Sequence, residues 1–166
     1  WYENLDSGGI STTQTVITTD ADRAHSVYAA DLDGDGDMDV LSASGGFNID
    51  DKIAWYENDG TGSFSGQQVI TTNADNAPSV YAADLDGDGD MDVLSASAGD
   101  FNSDDKIAWY ENTDGTGSFS DQQVITTDVN DAQSVYAADL DGDGDMDVLS
   151  ASFSDDKIAW YENTDG

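Results

Sequence analysis

One decapeptide, Asp31-Leu32-Asp33-Gly34-Asp35-Gly36-Asp37-Met38-Asp39-Val40, recurs letter for letter at Asp84 to Val93 and at Asp139 to Val148. Five carboxylates on alternating positions repel one another, and a folded chain keeps such a run when a cation neutralises it. The glycines let the backbone turn tightly enough for alternate side chains to converge on one point. Hard carboxylate oxygens suit calcium, which accepts roughly six to eight oxygens in a flexible shell. Each copy therefore reads as a calcium loop, giving about three Ca2+ per chain.

The register follows from comparison with the EF-hand, which needs acidic residues at loop positions 1, 3 and 5, glycine at 6 and glutamate at 12. Counting from Asp31, the first four requirements fall on Asp31, Asp33, Asp35 and Gly36. The last position is Ser42, with Ser95 and Ser150 in the other copies, which excludes an EF-hand. Asp39 is then the closing ligand of a shorter loop. Asp37 offers its backbone carbonyl and turns its side chain away. Counting from Asp33 instead places Met38 where glycine is required. A merely solvated acidic turn leaves three identical copies in one repeat frame unexplained.

The frame itself is marked by tryptophan. Trp1, Trp55, Trp109 and Trp160 each begin Trp-Tyr-Glu-Asn, at spacings of 54, 54 and 51 residues. Each unit runs through a Gly/Asp turn, a Val-Ile-Thr-Thr segment, Ser-Val-Tyr-Ala-Ala, the acidic loop, Val-Leu-Ser-Ala-Ser and Lys-Ile-Ala. A period near fifty with several short strands per unit is the signature of a β-propeller blade. The first full unit predicts strands at Ser26 to Leu32, Asp39 to Ser44, Lys52 to Asn58 and Ser63 to Thr72, and no segment carries a helical period. The expected fold is all-β: a β-propeller-type repeat of four-stranded antiparallel blades, about three per chain. As one repeat domain it divides into residues 1–25 (an outer strand completing a blade), 26–72 and 79–127 (blades), and 134–166 (a blade lacking its fourth strand).

Ala-Asp-Leu-Asp-Gly-Asp-Gly-Asp-Met-Asp-Val followed by Leu-Ser-Ala-Ser resembles the FG-GAP/VCBS repeat family across essentially the whole chain. In that family, which includes integrin α-subunit propellers and some fungal and bacterial lectins, a calcium loop joins the first and second strands of each blade. The resemblance implies side-chain ligation by Asp31, Asp33, Asp35 and Asp39, with Asp37 acting through its carbonyl. The same roles fall on Asp84, Asp86, Asp88 and Asp92 with Asp90, and on Asp139, Asp141, Asp143 and Asp147 with Asp145.

Charge narrows the partners. The 166 residues carry 36 acidic against four basic side chains, a formal −32, and three calcium ions would leave −26. Such a chain is not expected to bind nucleic acid or an anionic membrane. No apolar run is long enough to cross a membrane, so membrane insertion is not expected. Disorder is the default for so acidic a chain. The recurring aromatic and Val/Ile positions argue for a packed fold, at least with calcium bound. No cysteine is present, so neither disulfides nor thiol chemistry enter.

Three blades fall below the usual propeller range of roughly four to eight. The Trp1 and Trp160 tetrapeptides would also compete for one place in a closed ring. Completion by other copies, through head-to-tail strand complementation into a ring or filament, or by a longer chain is therefore expected. The units differ mainly in two loops: residues 45–50, 98–104 and 153–155, and residues 20–25, 73–78 and 128–133. Alternating strand direction puts both on one face, opposite the acidic loops, and makes it the candidate recognition surface for glycans or surface proteins. Trp55, Trp109 and Trp160 are expected to pack between blades rather than stack on sugars. Lys52, Lys106 and Lys157 are expected in surface ion pairs, and His25 in solvent. No Ser-His-Asp set, phosphate loop or soft-metal cluster appears, so enzymatic activity is not expected.

The expected role is a calcium-stabilised, extracellular or cell-surface structural and adhesion module that self-associates. The alternatives are a lectin-like propeller or a non-catalytic appendage of a larger secreted enzyme.

Overall fold

The computed structural model describes residues 1, 4–5, 9–10, 13–46, 51–99, 105–164 and 166. The expected loops at 45–50 and 98–104 lie partly outside these residues, as does part of the expected opening segment 1–25. Among the described residues there is no helix and there are thirteen strands. A first blade holds β3 (Ala24–Ala30), β4 (Asp39–Ser44), β5 (Lys52–Tyr56) and β6 (Gln68–Thr71). A second holds β7 (Ser79–Ala83), β8 (Asp92–Ser97), β9 (Lys106–Tyr110) and β10 (Gln123–Thr126). A third holds β11 (Ala132–Ala138), β12 (Asp147–Ser152) and β13 (Lys157–Tyr161). All pairings are antiparallel between consecutive strands, and a separate hairpin joins β1 (Asn4–Leu5) to β2 (Gly9–Ile10).

In the first blade the second strand falls where the sequence pattern places it, and the third starts at Lys52 as expected but ends at Tyr56 rather than Asn58. The first strand is shifted back by two residues and the fourth is shorter than expected. The first strand stops at Ala30 because the amide of Leu32 is taken by the Asp39 carboxylate (2.9 Å). Phe64 lies outside β6 and makes an isolated bridge to Asn58 at the turn, as Phe119 does to Asn112. The opening hairpin repeats that bridge as Asn4 opposite Ile10.

Because successive side chains point to opposite faces, each blade carries two apolar faces. In the first core Leu32, Leu41, Ile53 and Trp55 pack with Val80, Val93 and Tyr110 of the second blade. In the second core Leu85, Leu94 and Ile107 pack with Val135, Ala137 and Val148 of the third. Neither core belongs to one blade, so a blade gains its burial, about 1.5–3 kcal/mol per large side chain, only from a neighbour. The inner strands are tied as well: the Val80 amide donates to Ser26 Oγ and the Val135 amide to Ser79 Oγ, both at 3.2 Å. Tyr28, Tyr81 and Tyr136 stack down these strands with ring centroids 4.6 Å apart. Burial between its two neighbours raises the Tyr81 hydroxyl well above its ordinary pKa.

Trp55 is buried against Gly117 of the next blade, where φ is +82° and a β-carbon would collide with the indole. Trp1 lies against Gly62 in the same manner. Trp160 departs from the expected packing: it is 48% exposed, because no blade follows the third among the described residues. Ile158 on the same face is 82% exposed, whereas Ile53 and Ile107 are fully buried. At the other end Val27 is 71% exposed, whereas Val80 and Val135 are buried.

Two expectations about charged residues divide. Lys157 does pair at the surface, with Asp155 (3.0 Å) and Asp128 (3.5 Å). Lys106 is buried instead, since its blade is flanked on both sides. His25 is exposed, with Nε2 3.1 Å from the Gly45 carbonyl oxygen.

Burial at the joints sets a stability test. Replacing Trp55 with Ala should cost about 3–5 kcal/mol in denaturant unfolding. Val69→Thr, on the half-exposed outer strand, should stay within about 0.5 kcal/mol.

Candidate metal centre

Each acidic loop is a chain of local turns between the first and second strands of its blade. In the first, the Gly36 amide donates to Asp31 Oδ2 (3.0 Å), the Asp35 amide to Asp33 Oδ1 (3.2 Å) and the Asp37 amide to Asp35 Oδ1 (2.9 Å). The second loop repeats all three bonds. Curling the loop this way gathers Asp31, Asp33 and Asp39, and likewise Asp84, Asp86 and Asp92, so that one carboxylate oxygen from each lies within 4.8 Å of the others. Asp35 and Asp88 are not in these groups. Asp37, Asp90 and Asp145 turn their carboxylates onto Gly60, Gly115 and Gly166 of the turn after the third strand, away from the cluster.

The third loop differs. Its group is Asp139, Asp141 and Asp143, all exposed, without Asp147. In the first two loops the next blade braces the backbone: the Gly115 carbonyl sits against Gly34 and the Gly166 carbonyl against Gly87. Nothing among the described residues stands against Gly142, and its amide bonds Asp139 Oδ1 (2.7 Å).

Asp39, Asp92 and Asp147 anchor the loops. Asp92 is fully covered and accepts the amides of Leu85 (2.9 Å) and Asn112 (2.8 Å), joining the entry of the loop to the end of the third strand. Burial pushes its carboxyl up to about 6 against those two bonds. Burial likewise raises Asp39, Asp33 and Asp86, with neighbouring carboxylates adding to it. Asp147 makes the same two bonds and is as fully covered, yet its carboxyl is held low, chiefly by the Asn163 amide and then by that of Leu140.

Whether a cation suits these clusters is decided by two atoms. Asp31 Oδ1 and Asp84 Oδ1 are buried and have no hydrogen-bond partner among the described residues. An anionic oxygen buried without a partner is costly, and here it sits inside a group of three carboxylates. A bound cation would supply the missing partner. The all-oxygen donor set selects a hard divalent ion over zinc or copper.

A residue that the loop pattern alone does not reveal links each site to its neighbour. Asn112 Nδ2 donates to the Leu32 carbonyl of the preceding loop (2.9 Å), and Asn163 Nδ2 to that of Leu85 (2.7 Å). The signal was present in the sequence as the unvarying Asn of Trp-Tyr-Glu-Asn.

A family model described as FG-GAP-like repeat matches residues 1–42, 43–95 and 85–150. The chain belongs to the FG-GAP-like repeat family. None of the curated proteins matches it. Among solved structures it is similar to an Agrocybe aegerita lectin, described as specifically recognising non-reducing terminal N-acetylglucosamine. The TM-score is 0.60 at 22% identity over 90% of this chain, which spans 39% of the lectin chain. That likeness extends to the fold.

The raised carboxyls give a pH test. Between the unfolded value of 3.8 and about 6, folded Asp92 binds more proton than the unfolded chain. Without metal its contribution is therefore fully present at low pH and lost as pH rises through about 6, a difference on the order of 3 kcal/mol. Asp147, held low, acts oppositely, losing its contribution below its ordinary range. Asp33, Asp39, Asp86 and Asp141 are raised as Asp92 is, whereas the lowered Asp59, Asp114 and Asp147 act only below the ordinary carboxylate range, so the chelated protein should melt higher at pH 5 than at pH 7. With saturating divalent metal, protons compete with the ion and the order should reverse.

Proposed function

We propose that this FG-GAP-like chain is a calcium-loaded structural and adhesion module working outside the cell or at its surface, without catalytic activity of its own, and that it associates with further copies of itself. The observation carrying the calcium reading is the pair of orphaned oxygens, Asp31 Oδ1 and Asp84 Oδ1, inside the aspartate groups. Asp31, Asp33 and Asp39 would hold the ion through side chains, with Asp35 closing the shell and Asp37 adding its carbonyl. The equivalents are Asp84, Asp86, Asp92, Asp88 and Asp90, then Asp139, Asp141, Asp147, Asp143 and Asp145.

The ion supplies positive charge; the rest is done by the chain. The Asp39 and Asp92 carboxylates fix loop to sheet, and Asn112 and Asn163 carry that fixation to the next blade. Sites of this class in extracellular modules bind at about 10⁻⁴–10⁻³ M, which matches calcium outside cells. At ten times its dissociation constant each ion adds roughly 1.4 kcal/mol to folding, since it binds only the folded loop. A reservoir of aspartates with net charge −32 becomes stable where calcium is plentiful.

A lectin is the second reading. It is favoured by the similar Agrocybe aegerita lectin and by a cavity of about 150 Å³ between the second and third blades, lined in part by Trp109, Tyr161 and Glu162. Against it, the matching space at the first joint is closed by Gly117 over Trp55. An appendage role in a larger secreted enzyme is compatible with either reading.

The combined variant Asp33→Ala, Asp86→Ala, Asp141→Ala should lose most of the calcium-dependent rise in melting temperature, while magnesium at equal concentration gives a smaller rise in the parent. An unchanged rise in the variant contradicts the assignment. A glycan array run in calcium separates the readings: retention of terminal N-acetylglucosamine ligands favours the lectin, and no retention favours the scaffold.

A further inference from the structure

The outer faces of the first and third blades carry the two halves of one joint, and their pairing rests on the self-association reading above. Both internal joints use one set of residues, and the ends present its two halves. The third blade offers Leu140, Ile158 and Trp160, equivalents of the buried Leu32, Ile53 and Trp55, in an exposed state. The first blade offers Val27, equivalent to the buried Val80, beside a cavity of about 260 Å³ that lies between Val40 and Tyr56 of the blade and the opening segment, Trp1 with Gln14 to Thr18. The polar ties are likewise left open in halves. The Val80 amide donates to Ser26 and the Val135 amide to Ser79, so Val27 stands as the next donor and Ser134 as the next acceptor. Asn112 and Asn163 reach Leu32 and Leu85, leaving Asn58 and Leu140 as the matching pair.

The strand edges match too. Gln68–Thr71 and Gln123–Thr126 form outer strands on β5 and β9. The corresponding Thr15–Thr18 forms no strand, and among the described residues its backbone pairing is with Trp1 alone, by two bonds of 3.1 and 3.2 Å. The outer edge of β13 has no partner strand among the described residues. Trp1 meanwhile rests on Gly62, the seat that Trp55 takes on Gly117.

We propose that a second copy of this chain docks its third blade on the first blade of its neighbour, and that its Trp160 replaces Trp1 on Gly62. Residues 15–18 then pair with β13 of the second copy in the register of Gln68–Thr71 on β5, placing Thr15 opposite Trp160, Val16 opposite Ala159 and Thr18 opposite Ile158. Two copies make two such joints and six blades. That number lies within the usual range of about four to eight, which three copies would exceed. The species is a closed dimer of head-to-tail contacts. Trp1 is the internal competitor that must leave before the joint closes.

Native mass spectrometry in calcium, with sedimentation velocity, tests this on the 166-residue chain. The parent should be a species of twice the 17.5 kDa chain mass. Ile158→Asp, at a position exposed in the single chain, should be monomeric while keeping its calcium ions. Trp1→Ala should tighten the dimer at least threefold. Because the chain has no cysteine, mixing Thr18→Cys with Ile158→Cys protein should give an oxidised two-chain band absent from Ile158→Cys alone. A monomeric or open-ended parent, an unchanged Ile158→Asp dimer, or an unchanged or weaker Trp1→Ala dimer overturns the proposal. Calcium counts from the same spectra judge the calcium reading separately, since a monomer carrying calcium fails only the joint.

Discussion

A buried aspartate at the start of each second strand holds the architecture together. Asp92 accepts two backbone amides, from the loop entry at Leu85 and the strand end at Asn112, while its carboxylate also faces Asp84 and Asp86. Its burial disfavours the charge, and the two other carboxylates of its group disfavour it further. The first two loops therefore each store a conflict that a divalent ion, on the proposed reading, would resolve. Stability and ion occupancy would then become one quantity, as expected wherever a ligand binds only the folded state.

The conflict is shared between blades. Each apolar core lies between neighbours, and each of the first two loops is braced by a glycine carbonyl and an asparagine amide from the following blade. The third loop shows what happens without the brace: Asp139, Asp141 and Asp143 are exposed, Asp147 alone stays buried, and Asp139 turns to the Gly142 amide. Identical decapeptides thus form two environments, and the difference comes from what stands beside them. Metal affinity should grade accordingly, with two braced loops tighter than the unbraced one.

Much of this was legible in the sequence because repetition exposes the constraints. Strict recurrence of Trp-Tyr-Glu-Asn and of the acidic decapeptide set the blade frame, and the placement of β4, β8 and β12 followed from the loop itself. The outer strands were overextended because Phe64 and Phe119 look like strand residues but serve the turn. The alternation of aspartates points to convergence of Asp31, Asp33 and Asp39, which the structure brings together; that Asp35 stands outside this group, and that the third group takes Asp143 and lacks Asp147, is not readable from three identical loops. Those outcomes depend on the neighbouring blade, which no single loop encodes. The same holds for Trp160, alike in sequence to Trp55 and opposite in burial. The bond from Asn112 to Leu32 spans eighty residues and becomes visible only once blades are set side by side.

The measurement that bears most directly on this account is a calcium titration by isothermal calorimetry of the chelated chain. The account predicts three ions per chain at saturation, two bound more tightly than the third, with proton uptake or release that varies between pH 5 and pH 7. Fewer than three ions, or heat no larger than that of non-specific screening by magnesium, would contradict it.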